Sequence, residues 1–468
     1  MVNQTDILLS DDVVVEPERV REILSHRVAE VLASESKDLH VARLVVPLPP
    51  MDPFTWLCAQ RMMPRVFWSG RDDDTITAAA GSADRCFGSG DAGFRTLRAQ
   101  LDVIMPHSDT RVRYFGGFRF DLDAAAGREW ESFGTFTFTL PRFEYVVRAD
   151  RAVLACNLIL PRDADRLIEI RESINALSFP NGLEADELPQ PISREDRPDL
   201  DGWNRNVESV LHSFSDDGLQ KVVLARRADF RFAERVKPFV LLRKLYEATE
   251  NCFHYGFQYR DGEAFLGATP ERLFKRSGRQ IWTEAVAGTR PRGSGSDEDE
   301  RMLRELMTSD KDQREHAYVR AGISASLSPL CDSFYIEPVA SKMKLARGWH
   351  LVSRSRGVLK NDVHGSDVMA ALHPTPAVGG HPTSDALKAI RDLEPFDRGW
   401  YAGPVGWIGS RGAEFAVALR CGLVRRDTLS LYSGSGIVEG SKPDAEWKEI
   451  EQKISDFIRV FGLEVPGD

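Results

Sequence analysis

Between residues 42 and 160 the chain is made of short runs rich in β-branched and aromatic residues: Ala42 to Pro47, Val112 to Phe120, Gly134 to Leu140, Phe143 to Val147 and Ala152 to Leu160. Turn signals at Gly70-Arg-Asp, Gly88-Ser-Gly and Ala149-Asp150 break them, which is the pattern of antiparallel strands. Val20, Ile23, Leu24, Val28, Val31 and Leu32 precede the runs at helical spacing behind Pro17, so residues 17–33 read as an amphipathic helix. Helices are also expected over 162–178 and 202–214. Between them, Asn181-Gly and the stretch Pro189 to Pro198 form a polar, proline-rich connection, the one place for a boundary if the chain has one. From residue 219 strands and helices alternate: strand 220–232, helix 236–248, strands 253–258, 263–267 and 271–276, one long helix over 296–328, and a closing helix from Asp444 to Phe461.

Charge and cysteine usage exclude several classes. The 61 Lys and Arg against 71 Asp and Glu give a net charge of −10, the opposite of the concentrated basic surface that nucleic acid or an anionic membrane requires. Cys58, Cys86, Cys156, Cys252, Cys331 and Cys421 lie far apart with no CxxC pair, so neither a zinc site nor a disulfide framework is suggested. The first twenty residues lack a basic segment followed by an apolar one, and no run reaches eighteen apolar residues. A cytosolic protein with reduced thiols is expected.

Lys221 stands in the strand-like run Gln220 to Arg226, both of whose faces are largely apolar. Such a lysine either lies on an edge with its head in water or is partly buried, where a neutral amine can serve as a base. Glu271 opens the segment Glu271-Arg-Leu-Phe after Pro270; it is either a surface carboxylate paired with Arg272 or an acid whose pKa a semi-apolar site raises. Glu446 and Glu449 share a face of the closing helix, and Glu315-His316 sits on the helix after Asp310-Lys-Asp. Converging carboxylates without Cys or a His cluster suit magnesium, Mg2+. Equally, Glu449 and Lys453 fit an ordinary i,i+4 surface pair with Glu446 facing solvent. Gly434-Ser-Gly436 and Ala287-Gly-Thr-Arg could bring backbone amides to an anion, with Arg420 as a fork for a carboxylate, or could be turns; neither matches a Walker A loop or a GxGxxG fingerprint.

The motifs KVVLAR, ATPERLF, TEAVAGTRPRG, KDQREH, LHPTPAVGG, EPFDRGWYAGPVGW, EFAVALR and SGSGIVEGSKPDAEWKEIEQK follow one another across residues 221–453. In that order they resemble the chorismate-utilising enzymes, and LHPTPAVGG and DRGWYAGPVGW are most similar to isochorismate synthases of menaquinone and siderophore pathways. Residues 113–120 and 140–143 also fit that group. The resemblance implies an α/β (α+β) fold in one large body, with two mainly antiparallel sheets and flanking helices around a central cleft. Residues 1–200 are its less diagnostic N-terminal part and 201–468 the catalytic region, and the acidic stretch Ser294 to Glu300 becomes a mobile edge of the cleft.

By resemblance Lys221 is the base that activates water for attack on ring carbon 2 of chorismate, and Glu271 the acid that protonates the hydroxyl leaving carbon 4. Glu315 and Glu449 correspond to magnesium ligands, with Glu446 acting directly or through water. Tyr401, Arg420, Gly434, Gly436 and Lys453 correspond to positions around the substrate carboxylates, Ala287, Gly288 and Thr289 to a loop near the ring, and His350 to a histidine close to it. The lysine at 221, where the anthranilate enzymes commonly carry glutamine, implies water as nucleophile; no glutaminase subunit and a monomer are expected. Val286, Ser433, Ser435 and Gly348-Trp349 depart from the usual pattern. A salicylate synthase, which goes on to eliminate pyruvate, shares the same acid, base and carboxylates and is the alternative. A non-catalytic chorismate-binding protein would be expected to have lost some of them.

Overall fold

The computed structural model describes residues 14–34, 38–124, 126–180, 182, 187–216, 218–293, 295–344 and 348–463. All twenty strands within them belong to one hydrogen-bonded network, and every pairing is antiparallel. The two expected sheets are arms of this network that part at the strand Phe136–Arg148. One edge of that strand pairs with Thr75–Gly88 along its length; the other pairs with Tyr114–Phe118 over its first part and with Arg151–Leu160 over its second.

One arm runs from Thr75–Gly88 through Arg65–Ser69, Phe253–Arg260, Glu263–Thr269, Cys421–Arg425 and Thr428–Val438 to Lys221–Phe232. The other runs from Tyr114–Phe118 through Pro404–Ile408, Gly412–Val417, Arg272–Ser277 and Gln280–Pro291 to Gly348–Leu359. Aromatic rings fill the space near the parting: the fully buried Trp400 stands 5.3 Å from Phe133 and 5.7 Å from Phe257. Burying such rings contributes roughly 1.5–3 kcal/mol each, so the angle between the arms is held by packing as well as by pairing.

Several sequence expectations are corrected. The runs 134–140 and 143–147 are one strand, because Pro141-Arg142 stays extended and the Arg142 side chain is satisfied by Asp163 at 2.7 Å. Thr75–Gly88 went unread because its TITAAAGSADRCFG sequence is poor in β-branched residues; pairing on both edges overrides that weak propensity. The connection 189–198 contains the strand Pro191–Arg197, paired with Lys221–Phe232, and its proline stands at the strand's first residue, where it is tolerated. The long helix 296–328 is two, Ser296–Thr308 and Asp310–Leu327, separated by Ser309, whose extended backbone and hydroxyl, accepting from the Asp312 amide, start the second. The acidic stretch around Asp297 to Glu300 is the first turn of the former, and Asp299 accepts from Arg292 and from the Trp349 indole. The helix expected over 162–178 is shorter, Leu167–Asn175. Among the described residues no helix is long and apolar enough to cross a membrane.

Candidate active site

A cavity of ≈150 Å³ lies between the two arms, lined by the strands Thr428–Val438 and Gln280–Pro291 and by the helices Asp310–Leu327 and Pro443–Val460. The chain crosses from one arm to the other there twice, and each crossing carries a predicted site residue. Pro270-Glu271 joins Glu263–Thr269 to Arg272–Ser277, and residues 418–420 join Gly412–Val417 to Cys421–Arg425. The crossings are tied together, since the Val417 amide donates to the Glu271 carbonyl at 3.0 Å and the Ala268 amide to the Arg420 carbonyl at 3.1 Å. Arg420 itself has φ +44, a left-handed conformation that costs a non-glycine residue about 1 kcal/mol or more, retained here because both neighbouring strands are fixed.

Lys221 is no edge lysine. His381 faces it on one flank and Val438 on the other, its side chain is fully buried, and its Nζ donates to Glu315 Oε1 at 2.9 Å. Glu315 comes from the helix Asp310–Leu327, so the pair bridges the first arm to an element packed on the second. Gly436 makes this possible: a Cβ there would stand 2.7 Å from Glu315 Oε1 and 3.0 Å from Lys221 Cε.

Glu271 faces the cavity rather than Arg272, whose guanidinium turns to Glu284, Glu414 and Asp72. Burial pushes the Glu271 carboxyl up to about 7, with Glu284 adding to the rise while Lys221 and Lys453 pull against it. Arg71 donates to the Pro270 carbonyl at 2.6 Å and fixes the backbone immediately before this acid. Because the protonated form is the one that can donate, turnover is expected to fall about tenfold per pH unit on the alkaline side of that value. A kcat profile that stays flat from about pH 7 to about pH 9 would remove Glu271 as the proton donor.

One side of the cavity is cationic and rich in backbone. Lys453 donates to Glu449 Oε1 at 2.7 Å and to the Gly434 carbonyl at 2.9 Å, and Arg420 reaches Asp456 at 3.5 Å. Tyr401 stacks on Tyr432 with ring centres 5.3 Å apart, and a Cβ at Gly434 would come within 2.8 Å of the Tyr401 hydroxyl. Burial pulls the His350 imidazole down to about 3, reinforced by Arg420 and Lys453, so it is neutral near pH 7. Gly434 and Gly436 lie in the strand Thr428–Val438 and Ala287-Gly-Thr in Gln280–Pro291, so neither segment is a turn or a loop. Gly288, at φ +72, forms a bulge between Ala287 and Thr289 that bends the strand beside the cavity. The Thr289 side chain lies outside the described residues; its backbone stands opposite His350.

Each predicted metal carboxylate is held by a lysine. Besides Lys221–Glu315 and Lys453–Glu449, Lys311 donates to Glu446 Oε1 at 2.8 Å, while the Ser435 hydroxyl donates to Glu446 Oε2 at 2.5 Å. Glu446 is therefore buried, not solvent-facing, although the expected Glu449–Lys453 pair is present. Burial pushes Glu449 up, and Lys453, helped by Lys311 and Ser435, more than reverses this and leaves its pKa below the ordinary carboxylate value. Among the described residues no three His, Cys, Asp or Glu side chains stand in metal-ligating geometry. Glu315, Glu446 and Glu449 all nevertheless act on the charge of Lys311, which places a single ammonium among the three.

Lys311 and Ser435 were missed as functional residues. The spacing held a signal for the first, since Lys311 is four residues before Glu315 on one helix face. For Ser435 nothing local pointed to Glu446.

A buried acid near neutrality, a cationic, glycine-walled end and, behind Gly436, the buried Lys221–Glu315 pair mark this cavity as the candidate active site. The sequence signature described as "Chorismate binding enzyme" matches residues 26–462, and the chain belongs to that family. It is 34% identical to isochorismate synthase 2 of Arabidopsis thaliana, over 90% of this chain and 80% of that protein. It is 31% identical to the isochorismate synthase MenF of Escherichia coli over 90% and 93%. The solved structure of the E. coli menaquinone-specific isochorismate synthase MenF superposes with a TM-score of 0.82 and 27% identity, covering 94% of this chain and 99% of that one.

Proposed function

We propose that the protein is an isochorismate synthase. Lys221 takes a proton from water as its oxygen bonds to ring carbon 2 of chorismate. The ring double bonds shift, and Glu271 protonates the hydroxyl departing from carbon 4, which leaves as water. One water enters and one leaves, so the reaction is an isomerisation. The single observation that supports the reading is the acid on the cavity wall: the Glu271 carboxyl is lifted to about 7, and the buried Lys221 stands close enough to act on its charge. Arg420 and Lys453 orient the substrate carboxylates, and Tyr401, Gly434 and Gly436 shape their end of the cavity.

The donor set fits a magnesium ion chemically, because Glu315 and Glu449 line the cavity with hard oxygens and a third carboxylate, Glu446, stands behind them. Glu315 and Glu449 would hold the ion, which would supply a positive charge against a substrate carboxylate. Glu446 orients Lys311 and Ser435. Glu449→Gln is expected to raise the magnesium concentration needed for half-maximal activity by at least about tenfold and to raise KM for chorismate with it. A magnesium titration identical to that of the parent protein would take Glu449 out of the site. The protein acts in this reading as a cytosolic monomer without a glutaminase subunit.

Incubation with chorismate and magnesium, without an added lyase, tests the assignment by chromatography of the products. Isochorismate is expected to accumulate; fluorescent salicylate with equimolar pyruvate would make the protein a salicylate synthase.

A further inference from the structure

Residues 70–74 join the strands Arg65–Ser69 and Thr75–Gly88 of the first arm, yet their side chains grip the second. Arg71 donates through Nη1 to the Pro270 carbonyl at 2.6 Å and to Glu284 Oε2 at 3.2 Å, and through Nη2 to Glu284 Oε1. Asp72, the next residue, accepts from Arg272 at 2.6 Å, and Arg272 also donates to Glu284 and to Glu414, each at 3.1 Å. The residues immediately before and after Glu271 are therefore both held by one hairpin loop. Phe253 lies under both guanidinium groups, 5.6 Å from Arg71 and 5.4 Å from Arg272.

Arg71 does not line the active-site cavity, and no step of the reaction calls on it. Stability alone explains it poorly: with Arg71 10% and Glu284 7% exposed, the desolvation of such a pair offsets much of its attraction. What the network fixes is position. The Glu271 backbone has two further ties, its amide to Thr269 Oγ1 at 3.3 Å and its carbonyl to the Val417 amide at 3.0 Å, but both come from strands that the crossings themselves connect. The Arg71 contact reaches the same stretch of backbone from outside them.

We propose that Arg71, anchored on Glu284, is a positioning residue that sets where the Glu271 carboxyl stands in the cavity, an inference that rests on the reading of Glu271 as the proton donor. The anchor also governs charge behind the acid, because Glu284 acts on the charge of Glu271 and Arg71 offsets Glu284. From other elements Lys221, Lys453 and Tyr401 interact with that same charge. Arg290, Lys311, Asp312 and Glu315 line the cavity from the strand Gln280–Pro291 and the helix Asp310–Leu327, and His350, Arg420, Tyr432 and Glu449 line it from further elements. All of these stay unchanged in the variants below, so a displaced pH profile reports on Arg71 and Glu284.

Plateau kcat, KM for chorismate and the pH profile of kcat test this in Arg71→Met, Arg71→Lys and Glu284→Gln, with Glu271→Gln as reference. Arg71→Met is expected to lower the plateau at least about tenfold with KM within about twofold of the parent, since the acid moves while the cavity wall stays. Its alkaline limb should rise by about half a pH unit, because a less neutralised Glu284 favours the protonated acid. Arg71→Lys keeps the charge but offers one ammonium to two acceptors, so a loss of only about threefold with the limb in place is expected. Glu284→Gln should move the limb down by about half a pH unit. Glu284 keeps Arg272 in Arg71→Met, so that variant is expected to fold, as circular dichroism reports; if it does not, the other two decide by the same readouts. A parental plateau in Arg71→Met, or in Arg71→Lys should the former not fold, would overturn the proposal. So would a lowered plateau in Arg71→Met with its limb unmoved, the mark of a merely structural role, or an unmoved limb in Glu284→Gln. Parental turnover by Glu271→Gln would instead remove the acid on which the inference rests.

Discussion

Lys221→Met is expected to lower turnover of chorismate by about 10²–10⁴-fold, the range lost when a positioned general base is removed. Methionine nearly preserves the volume of the lysine stem, so the strand Lys221–Phe232 and its two neighbours keep their packing. What disappears is the buried amine that donates to Glu315. Magnesium binding, followed by titration calorimetry, should survive, because Glu315 loses only a hydrogen-bond donor and Glu449 is untouched. A variant with near-normal turnover would refute the role of Lys221; a variant that loses both turnover and cooperative thermal unfolding would mean that the pair is structural.

Gly436→Ala is expected to reduce kcat on the order of 10²-fold with the fold intact, the cost of a displacement of about 1 Å at a catalytic group. The added Cβ would stand 2.7 Å from Glu315 Oε1 and 3.0 Å from Lys221 Cε, too close for either. Both atoms belong to side chains, so the backbone of the strand Thr428–Val438 can stay in register while the base and its partner move apart. Circular dichroism and melting should therefore change little while turnover collapses. Full activity in this variant would show that the Lys221–Glu315 contact is not needed for the reaction. The contrast with Gly288 is informative, since there a positive φ of +72 makes any substitution strain the backbone as well.

Much of the fold was legible because its signals are local. Periodicity located the helix Pro17–Leu32, the closing helix Pro443–Val460 and the strands between residues 220 and 276, and it erred where tertiary pairing overrode propensity, as in Thr75–Gly88. The site was legible in a different way. Bare spacing left Lys221, Glu271 and the acidic helix each with an ordinary alternative, and only the ordered motifs made a choice between them. For Glu271 the surface pairing with Arg272 failed because Glu284, Glu414 and Asp72, distant in sequence, claim that guanidinium. For Glu449 the ordinary pair with Lys453 and the place in the cavity are both real.

The sequence by itself determined the inventory: the periodic segments that form helices and part of the strands, which of them carry an amine, a carboxyl or a guanidinium, and a net negative charge unsuited to polyanions. Side-chain chemistry and the periods of helix and strand are properties of neighbours along the chain, so they can be read there. Only the tertiary structure decided that Lys221 meets Glu315 ninety-four residues away, that Lys311 and Ser435 converge on Glu446, and that Glu271 and Arg420 lie at the two crossings between the arms. The two arms that carry these residues start on opposite edges of one strand, Phe136–Arg148, which pairs with Thr75–Gly88 on one side and with Tyr114–Phe118 on the other. The resulting burial, not the residue type, lifts Glu271 to about 7 and turns a common carboxylate into an acid.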